Sequence, residues 1–185
     1  MLHWVILPAK ELLKVRHGEV AAVALATNYM EAIEIYVSGK DSKDNSRAFF
    51  IRGFKRVFAG VSGPEFMHEE FASALYVLLR CGFAHEGWFR HGIYFSTVRK
   101  EAFFITWPKK NEAFVPNGPL ESAVINPSRF VAGIESHFRD YVRELRRPAD
   151  SELKQKFSAA VAVMWDINGE ERRIGVTEEE FYRAT

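Results

Sequence analysis

The sequence predicts a mainly α protein, an antiparallel bundle of about five helices with a β-hairpin inserted near residues 92–107. Apolar residues recur at three- and four-residue steps over most of the chain, which is the spacing of one helix face. Only the stretch 92–107 is rich instead in aromatic and β-branched residues. The breaks between segments are short, so we expect a single domain spanning residues 1–185.

The N-terminal part is predicted to start irregularly and then to form a long helix. Residues 3–7 form either a short strand or an extended arm, which Pro8 ends. Residues 10–16 form one or two helical turns. The first long helix runs from Glu19 to Val37, and a turn rich in small and polar residues follows it.

Two further helices follow this turn. The second begins at a cap on Asp41 or Ser42 and reaches about Phe58, with an apolar stripe made mostly of phenylalanine. The third begins with Pro64 at its first position and reaches Arg80. Glutamates early in this helix suit the positive end of its dipole.

The predicted hairpin pairs residues 92–98 with residues 102–107. The turn between them lacks the Asn-Gly or Asp-Gly signature of a two-residue hairpin loop. Residues 109–121 are expected to form a loop, because a Pro-Asn-Gly-Pro sequence interrupts them. Two further long helices follow, and residues 177–180 are a candidate start for a short turn of helix. Asn126 caps the first, with Pro127 in its first turn, and Asp150 or Ser151 caps the second.

Composition excludes several classes of protein. The formal net charge is +1, so no global electrostatic attraction favours nucleic acid or an anionic membrane. The single cysteine, Cys81, forms no internal disulfide, which fits a reducing compartment. The apolar start is too short for a secretory signal, and no stretch reaches the roughly 20 apolar residues of a membrane span. We therefore expect a cytoplasmic protein without a membrane partner.

Two residues suited to phosphate chemistry lie at the end of the third helix, in Leu79-Arg80-Cys81-Gly82-Phe83-Ala84-His85-Glu86. Imidazole suits a general acid or base at neutral pH, because its unperturbed pKa is about 6.5. A guanidinium stays protonated and holds two phosphoryl oxygens with its planar fork. Arg80 and His85 therefore supply the two groups that RNA cleavage without a metal requires.

The geometry of an ordinary helix opposes this role. Residues five apart on an α-helix point about 140° away from each other, since the helix has 3.6 residues per turn. Either Gly82 lets the helix deform, or two chains pair so that Arg80 and His85 of both line one cleft. Dimerisation is therefore part of the hypothesis.

The same segment resembles the Arg-x4–6-His signature of the HEPN family, a group of helical-bundle proteins. The resemblance implies a homodimeric, metal-independent endoribonuclease of the kind found in toxin–antitoxin and defence systems, with RNA as substrate and an antitoxin protein as a partner. It assigns the catalytic roles to Arg80 and His85. A polar residue follows the arginine in many active members, whereas Cys81 follows it here. A second hypothesis is therefore a HEPN-like module that dimerises or binds an anion or RNA without turnover.

Each candidate residue also has a purely structural interpretation. Arg80 suits the negative end of a helix dipole, and His85 suits a hydrogen-bonded structural histidine. Arg90 and His91 form a second Arg/His pair, which we assign to substrate binding as an extension of a phosphate-binding surface. The alternative is a polar loop leading into the hairpin.

The aromatic residues near the hairpin have two possible roles. If exposed they would stack on RNA bases, whereas alternating residues on a hairpin more commonly pack one face on the core. They are Trp88, Phe89, Tyr94, Phe95, Phe103, Phe104 and Trp107. The sequence has no P-loop, no dinucleotide-binding glycine motif and no histidine or cysteine set with metal-ligand spacing, so we expect no cofactor and no metal.

Overall fold

The computed structural model describes residues 1–60, 65–111, 113–114, 120–147, 151–165 and 178–183. The described chain is mainly helical with a small three-stranded sheet. Its α-helices are α1 Leu7–Leu12, α2 Glu19–Ser38, α3 Ser46–Val57, α4 Glu65–Leu75, α5 Pro127–Leu145, α6 Ser151–Trp165 and α7 Glu178–Arg183. Two π-helical stretches span Leu2–Ile6 and Tyr76–Glu86, and we refer to the latter as the π-helical segment. The strands are β1 Ile93–Phe95, β2 Phe103–Thr106, β3 Lys109–Lys110, β4 Ala113–Phe114 and β5 Ser122–Ile125.

The N-terminus is helical, so the predicted strand or extended arm over residues 3–7 is wrong. The backbone N–H groups of Val5 and Ile6 both donate to the carbonyl of Met1, at 2.9 and 3.3 Å. Pro8 lies in the first turn of α1, where a missing N–H removes no helical hydrogen bond. The proline therefore continues this helix instead of ending it.

Helix α2 confirms the predicted long helix and lies at the centre of the fold, in contact with α1, α3, α5, α6 and the π-helical segment. It ends because Gly39 takes a left-handed φ of 70°, and the N–H of Gly39 donates to the carbonyl of Ile35. Its length and apolar composition are sufficient for a membrane span, which corrects our expectation that no stretch qualifies. Half of the qualifying window is buried inside the fold, and a core helix satisfies the same criteria.

Helix α3 begins at Ser46, several residues after the predicted start. The side chain of Asp41 accepts the N–H of Lys43 at 2.9 Å, and Asp44 takes a positive φ of 62°, so this stretch forms a turn. The hydroxyl of Ser42 donates to Glu31 on α2 instead of capping α3. The predicted phenylalanine stripe is confirmed for its four buried members, Phe49, Phe50, Phe54 and Phe58.

The predicted third helix extends to Glu86, six residues beyond Arg80. It comprises α4 followed directly by the π-helical segment. The predicted first position of this helix, Pro64, lies outside the described residues.

Strands form at both predicted places, but they do not form a hairpin. The sheet order is β1-β5-β2: β1 pairs parallel with β5, and β2 pairs antiparallel with β5. No two-residue turn forces β1 and β2 together. The central position instead goes to β5, whose Ala123 and Ile125 are fully buried. A short β3–β4 ladder lies in the region predicted as loop.

The start of α5 confirms its predicted cap, because the side chain of Asn126 accepts the N–H of Arg129 at 3.2 Å. Helix α6 begins at Ser151, and the other candidate cap, Asp150, lies outside the described residues.

One continuous cluster of buried side chains joins the N-terminal helix to α5 and the sheet. Its centre is aromatic. Phe103 on β2 lies next to Phe58, the C-cap of α3, and next to Phe71 of α4, with ring centroids 4.9 and 5.1 Å away. Phe58 also stacks on Phe130 of α5 at 5.4 Å. Edge-to-face aromatic contacts of this kind stabilise a core beyond their buried area.

Candidate functional site

The π-helical segment owes its form to a glycine and to the chain that returns against it. The segment ends at Gly87, which takes a left-handed φ of 71°. The returning chain places the Trp88 carbonyl against Gly82, where a Cβ would lie only 2.5 Å from that oxygen. The N–H of Arg90 then donates to the carbonyl of Leu78 at 2.8 Å. Only a residue without a side chain allows this close approach.

This backbone register removes the geometric objection to Arg80 and His85. A π-helix bonds residue i to residue i+5, so residues five apart lie on successive turns of one side. The predicted local deformation is present, because the whole stretch Tyr76–Glu86 has this register. This register puts the backbones of residues 80 and 85 on successive turns of one side, but the side chains of Arg80 and His85 make no hydrogen bond to each other.

Arg80 is held loosely. Its guanidinium donates to Glu31 of α2 at 3.3 Å and lies 6.0 Å from the centre of the Tyr76 ring. The side chain keeps 28% of its exposure. It borders an open groove of about 390 Å³, which we call the Arg80 groove. The other residues lining this groove are Ala24, Leu25, Thr27, Asn28, Phe83 and Ala84.

His85 is exposed in the last turn of the segment. Among the residues that the structure describes, none forms a hydrogen bond with its imidazole. Its neighbour Glu86 is engaged elsewhere, because the Nε of Arg90 donates to this carboxylate at 2.9 Å. That hydrogen bond is the main reason why the pKa of Glu86 is lowered, with the charges of Arg90 and His85 as smaller causes.

The second Arg/His pair lies next to the end of the segment but has a different environment. The guanidinium of Arg90 is paired with the carboxylate of Glu86, and both side chains are partly exposed. His91 is exposed, and its ring lies 6.4 Å from that of Tyr94 on β1. The structure therefore brings Arg90 close to the π-helical segment and directs His91 toward the sheet.

Cys81, in the middle of the segment, is a half-buried free thiol. Within the described ranges, no three histidine, cysteine, aspartate or glutamate side chains lie close enough to hold a metal ion.

Sequence reasoning missed a buried carboxylate on α2. The Glu34 side chain is 4% exposed and accepts hydrogen bonds from the Nε atoms of Arg52 and Arg56, each at 2.7 Å. The four-residue spacing of these arginines, opposite a glutamate inside an apolar helix, was the available signal.

A part-buried tyrosine–histidine contact was also missed. The hydroxyl of Tyr29 lies 2.9 Å from Nδ1 of His137. Burial lowers the pKa of His137, and the nearby charge of Arg56 lowers it further. Burial raises the pKa of Tyr29. No spacing in the sequence relates these two helices, so no sequence signal existed for this pair.

Comparison with known proteins adds no relative: no family model, no curated protein and no solved structure matches this chain. The likeness to the HEPN family therefore depends on the segment around Arg80 and His85 and on its helical setting.

Proposed function

We propose that the protein is a metal-independent endoribonuclease of the HEPN type that acts on RNA as a homodimer. The observation that supports this most strongly is the π-helical register of residues 76–86. In a π-helix, residues five apart fall on successive turns of one side, which supports a shared role for Arg80 and His85, and Arg80 lines the open groove.

In this proposal His85 transfers protons. An imidazole removes the proton of a 2′-hydroxyl, whose oxygen bonds to the adjacent phosphorus as the 5′-oxygen leaves with a proton. A homodimer would supply two such imidazoles, one to accept a proton and one to donate it. The exposure of His85 and its freedom from hydrogen-bond partners in the described part of the chain suit this role.

Arg80 stabilises the charge that develops on the phosphoryl oxygens. Its contact with Glu31, at 3.3 Å, is longer than the 2.7–2.9 Å typical of a strong charge-assisted hydrogen bond. A phosphate would therefore compete well for this guanidinium. Arg90 and His91 would add a secondary phosphate contact once RNA displaces Glu86 from Arg90.

The proposal includes an antiparallel helical bundle as the architecture. The contacts of α2 with α3, α5 and α6 support this arrangement. It also includes an antitoxin protein as a partner.

Incubating the purified protein with mixed RNA and a chelator tests the proposal. We expect cleavage by the wild type and none by His85→Ala or Arg80→Ala, with helical content and melting temperature nearly unchanged. His3→Ala, at another exposed histidine, is the matched control and should cleave like the wild type. Full activity of either active-site variant would overturn the catalytic assignment.

One observation favours the second candidate, a HEPN-like dimer that binds an anion or RNA without turnover. Arg80 already has a carboxylate partner, and the nonpolar Cys81 follows it. This candidate predicts that RNA is bound but stays intact with chelator present, and that Glu31→Gln strengthens binding by freeing Arg80.

A further inference from the structure

One face of the three-stranded sheet is aromatic yet exposed. Tyr94 on β1 lies beside Val124 on β5, which in turn lies beside Phe104 on β2. Tyr94 is 48% exposed and Phe104 is 41% exposed, whereas their chain neighbours Ile93 and Phe103 are buried on the opposite face. We call the exposed side the outer face. Its members are Tyr94, Val124, Phe104, Ser122 and Thr106.

The rest of the outer face is polar. The hydroxyls of Ser122 and Thr106 lie 2.5 Å apart, in the row next to the rings. The guanidinium of Arg99 lies 4.4 Å from the centre of the Phe104 ring, and the His91 ring flanks Tyr94. Hydroxyls reach the edges of bases, and a guanidinium plane both stacks on a base and binds a phosphate.

The charges near the outer face are mixed. Arg99 and Lys100 precede β2, but exposed Glu101 lies between them and the strand, and exposed Glu121 precedes β5. A ligand bound at this face would therefore be held by the aromatic rings more than by net charge. Adjacent strands lie about 4.8 Å apart, so Tyr94 and Phe104, two strands apart, are separated by roughly 10 Å at their backbones. Each ring has room for a base of its own.

We infer that the outer face binds single-stranded RNA, with bases stacked on Tyr94 and Phe104 and with Arg99, which now lies over the Phe104 ring, moving to a phosphate. The inference rests on the proposed function and deepens it, because it names unpaired RNA as the substrate. Double-stranded RNA keeps its bases stacked on one another and cannot offer them to the rings. The sheet lies close to the π-helical segment. Strand β1 begins soon after that segment ends, and the backbone N–H of Arg90 donates to the carbonyl of Leu78 within it.

Fluorescence anisotropy of labelled oligouridine tests this inference, with every protein carrying His85→Ala so that the RNA stays intact. Tyr94→Leu combined with Phe104→Leu keeps the apolar surface but removes both rings. We expect this pair to weaken binding about tenfold or more, since each stacked base contributes substantially. Tyr94→Leu and Phe104→Leu alone should each show part of the loss, and they provide the readout if the double variant does not fold.

Two controls define the result. Tyr94→Phe keeps a ring, and Trp165→Leu removes an exposed aromatic side chain from α6; both should bind oligouridine within about twofold of the parent. Duplex RNA of the same length should compete poorly. Unchanged affinity in the double leucine variant, or no binding by the parent, would overturn the inference. A shift from dimer to monomer in light scattering would also overturn it, by showing that the face contacts a second copy.

The inference and the proposed function can fail separately. If RNA binding does not depend on the two rings while the wild type still cleaves RNA with chelator present, only the role of the outer face is rejected. Ring-dependent binding of RNA that the wild type never cleaves would reject only the nuclease.

Discussion

Two glutamates on the same face of α2 bind their arginines in different ways. Glu34 is buried and holds Arg52 and Arg56 at 2.7 Å each. Glu31, three residues earlier, is more exposed and holds Arg80 at 3.3 Å. The Glu34 ion pairs connect α2 to α3. The Glu31 contact leaves a partly exposed guanidinium beside an open groove, where the proposed function needs a phosphate to replace the carboxylate.

The backbones that carry these residues differ in the same way. Helix α2 is a regular α-helix with most of one side in the core, and a left-handed glycine ends it. The π-helical segment is irregular, half-exposed and fixed by the chain that folds back against Gly82. Irregular helix registers are frequent at functional sites. Their backbone geometry is less favourable, so the packing around them must compensate for its cost.

The largest difference should appear when the arginines are removed. Arg52→Met combined with Arg56→Met leaves the Glu34 charge buried and unpaired, so the free energy of unfolding should fall by about 3 kcal/mol. Arg80→Met, the matched change at Glu31, should lower it by less than about 1 kcal/mol, because that pair is partly solvated. Urea denaturation measures both. Equal losses would show that the two contacts do not differ.

A methyl group at the close approach should have the next largest effect. Gly82→Ala puts a Cβ against the Trp88 carbonyl, so the free energy of unfolding should fall by about 1–3 kcal/mol. Cleavage should fall as well, because the turns that carry His85 must shift. Gly60→Ala, where a Cβ meets nothing within 4 Å, should change neither. Wild-type stability of Gly82→Ala would remove our explanation of the π-helical register.

A smaller effect is expected from His137 on α5, whose protonation makes the stability of the fold depend on pH. The pKa of His137 is lowered in the folded state, so the unfolded chain binds more protons as pH falls through about 6.5. Stability from this site is present above that pH and is lost below it, although Asp140 and Glu144 partly oppose the shift.

His137→Gln keeps an acceptor for the Tyr29 hydroxyl but does not titrate. The decrease in melting temperature between pH 7 and pH 5 should therefore be smaller in this variant, because this site no longer takes up a proton on unfolding. His3→Gln should keep the wild-type profile. A steep decrease in His137→Gln would assign the pH dependence to other groups.

The sequence was informative wherever a local signal set the structure. Apolar periodicity and the Ser-Gly turn predicted α2, and Asn126 with Pro127 predicted the start of α5. Local signals failed where a distant partner decided the outcome. Strand β5 separates β1 from β2 because the core requires Ala123 and Ile125, and no turn signature could report that.

The candidate site shows the same division. The spacing of Arg80 and His85 singled them out, and Gly82 was suspected as the point of deformation. The extent of the π-helical register could not be predicted, because it depends on Trp88 and Arg90 folding back onto the helix. The four-residue spacing of Arg52 and Arg56 was a signal for a shared partner, but it could not identify Glu34, since that residue lies on another helix.

The central claim is that Arg80 and His85 act in one reaction centre. Residual cleavage rates of Arg80→Ala, His85→Ala and the combined variant, measured at high protein concentration with chelator present, test it most directly. Groups that work as a unit lose their effect together, so the combined variant should be about as slow as the slower single variant. Losses that multiply would show two independent contributions and contradict a shared centre.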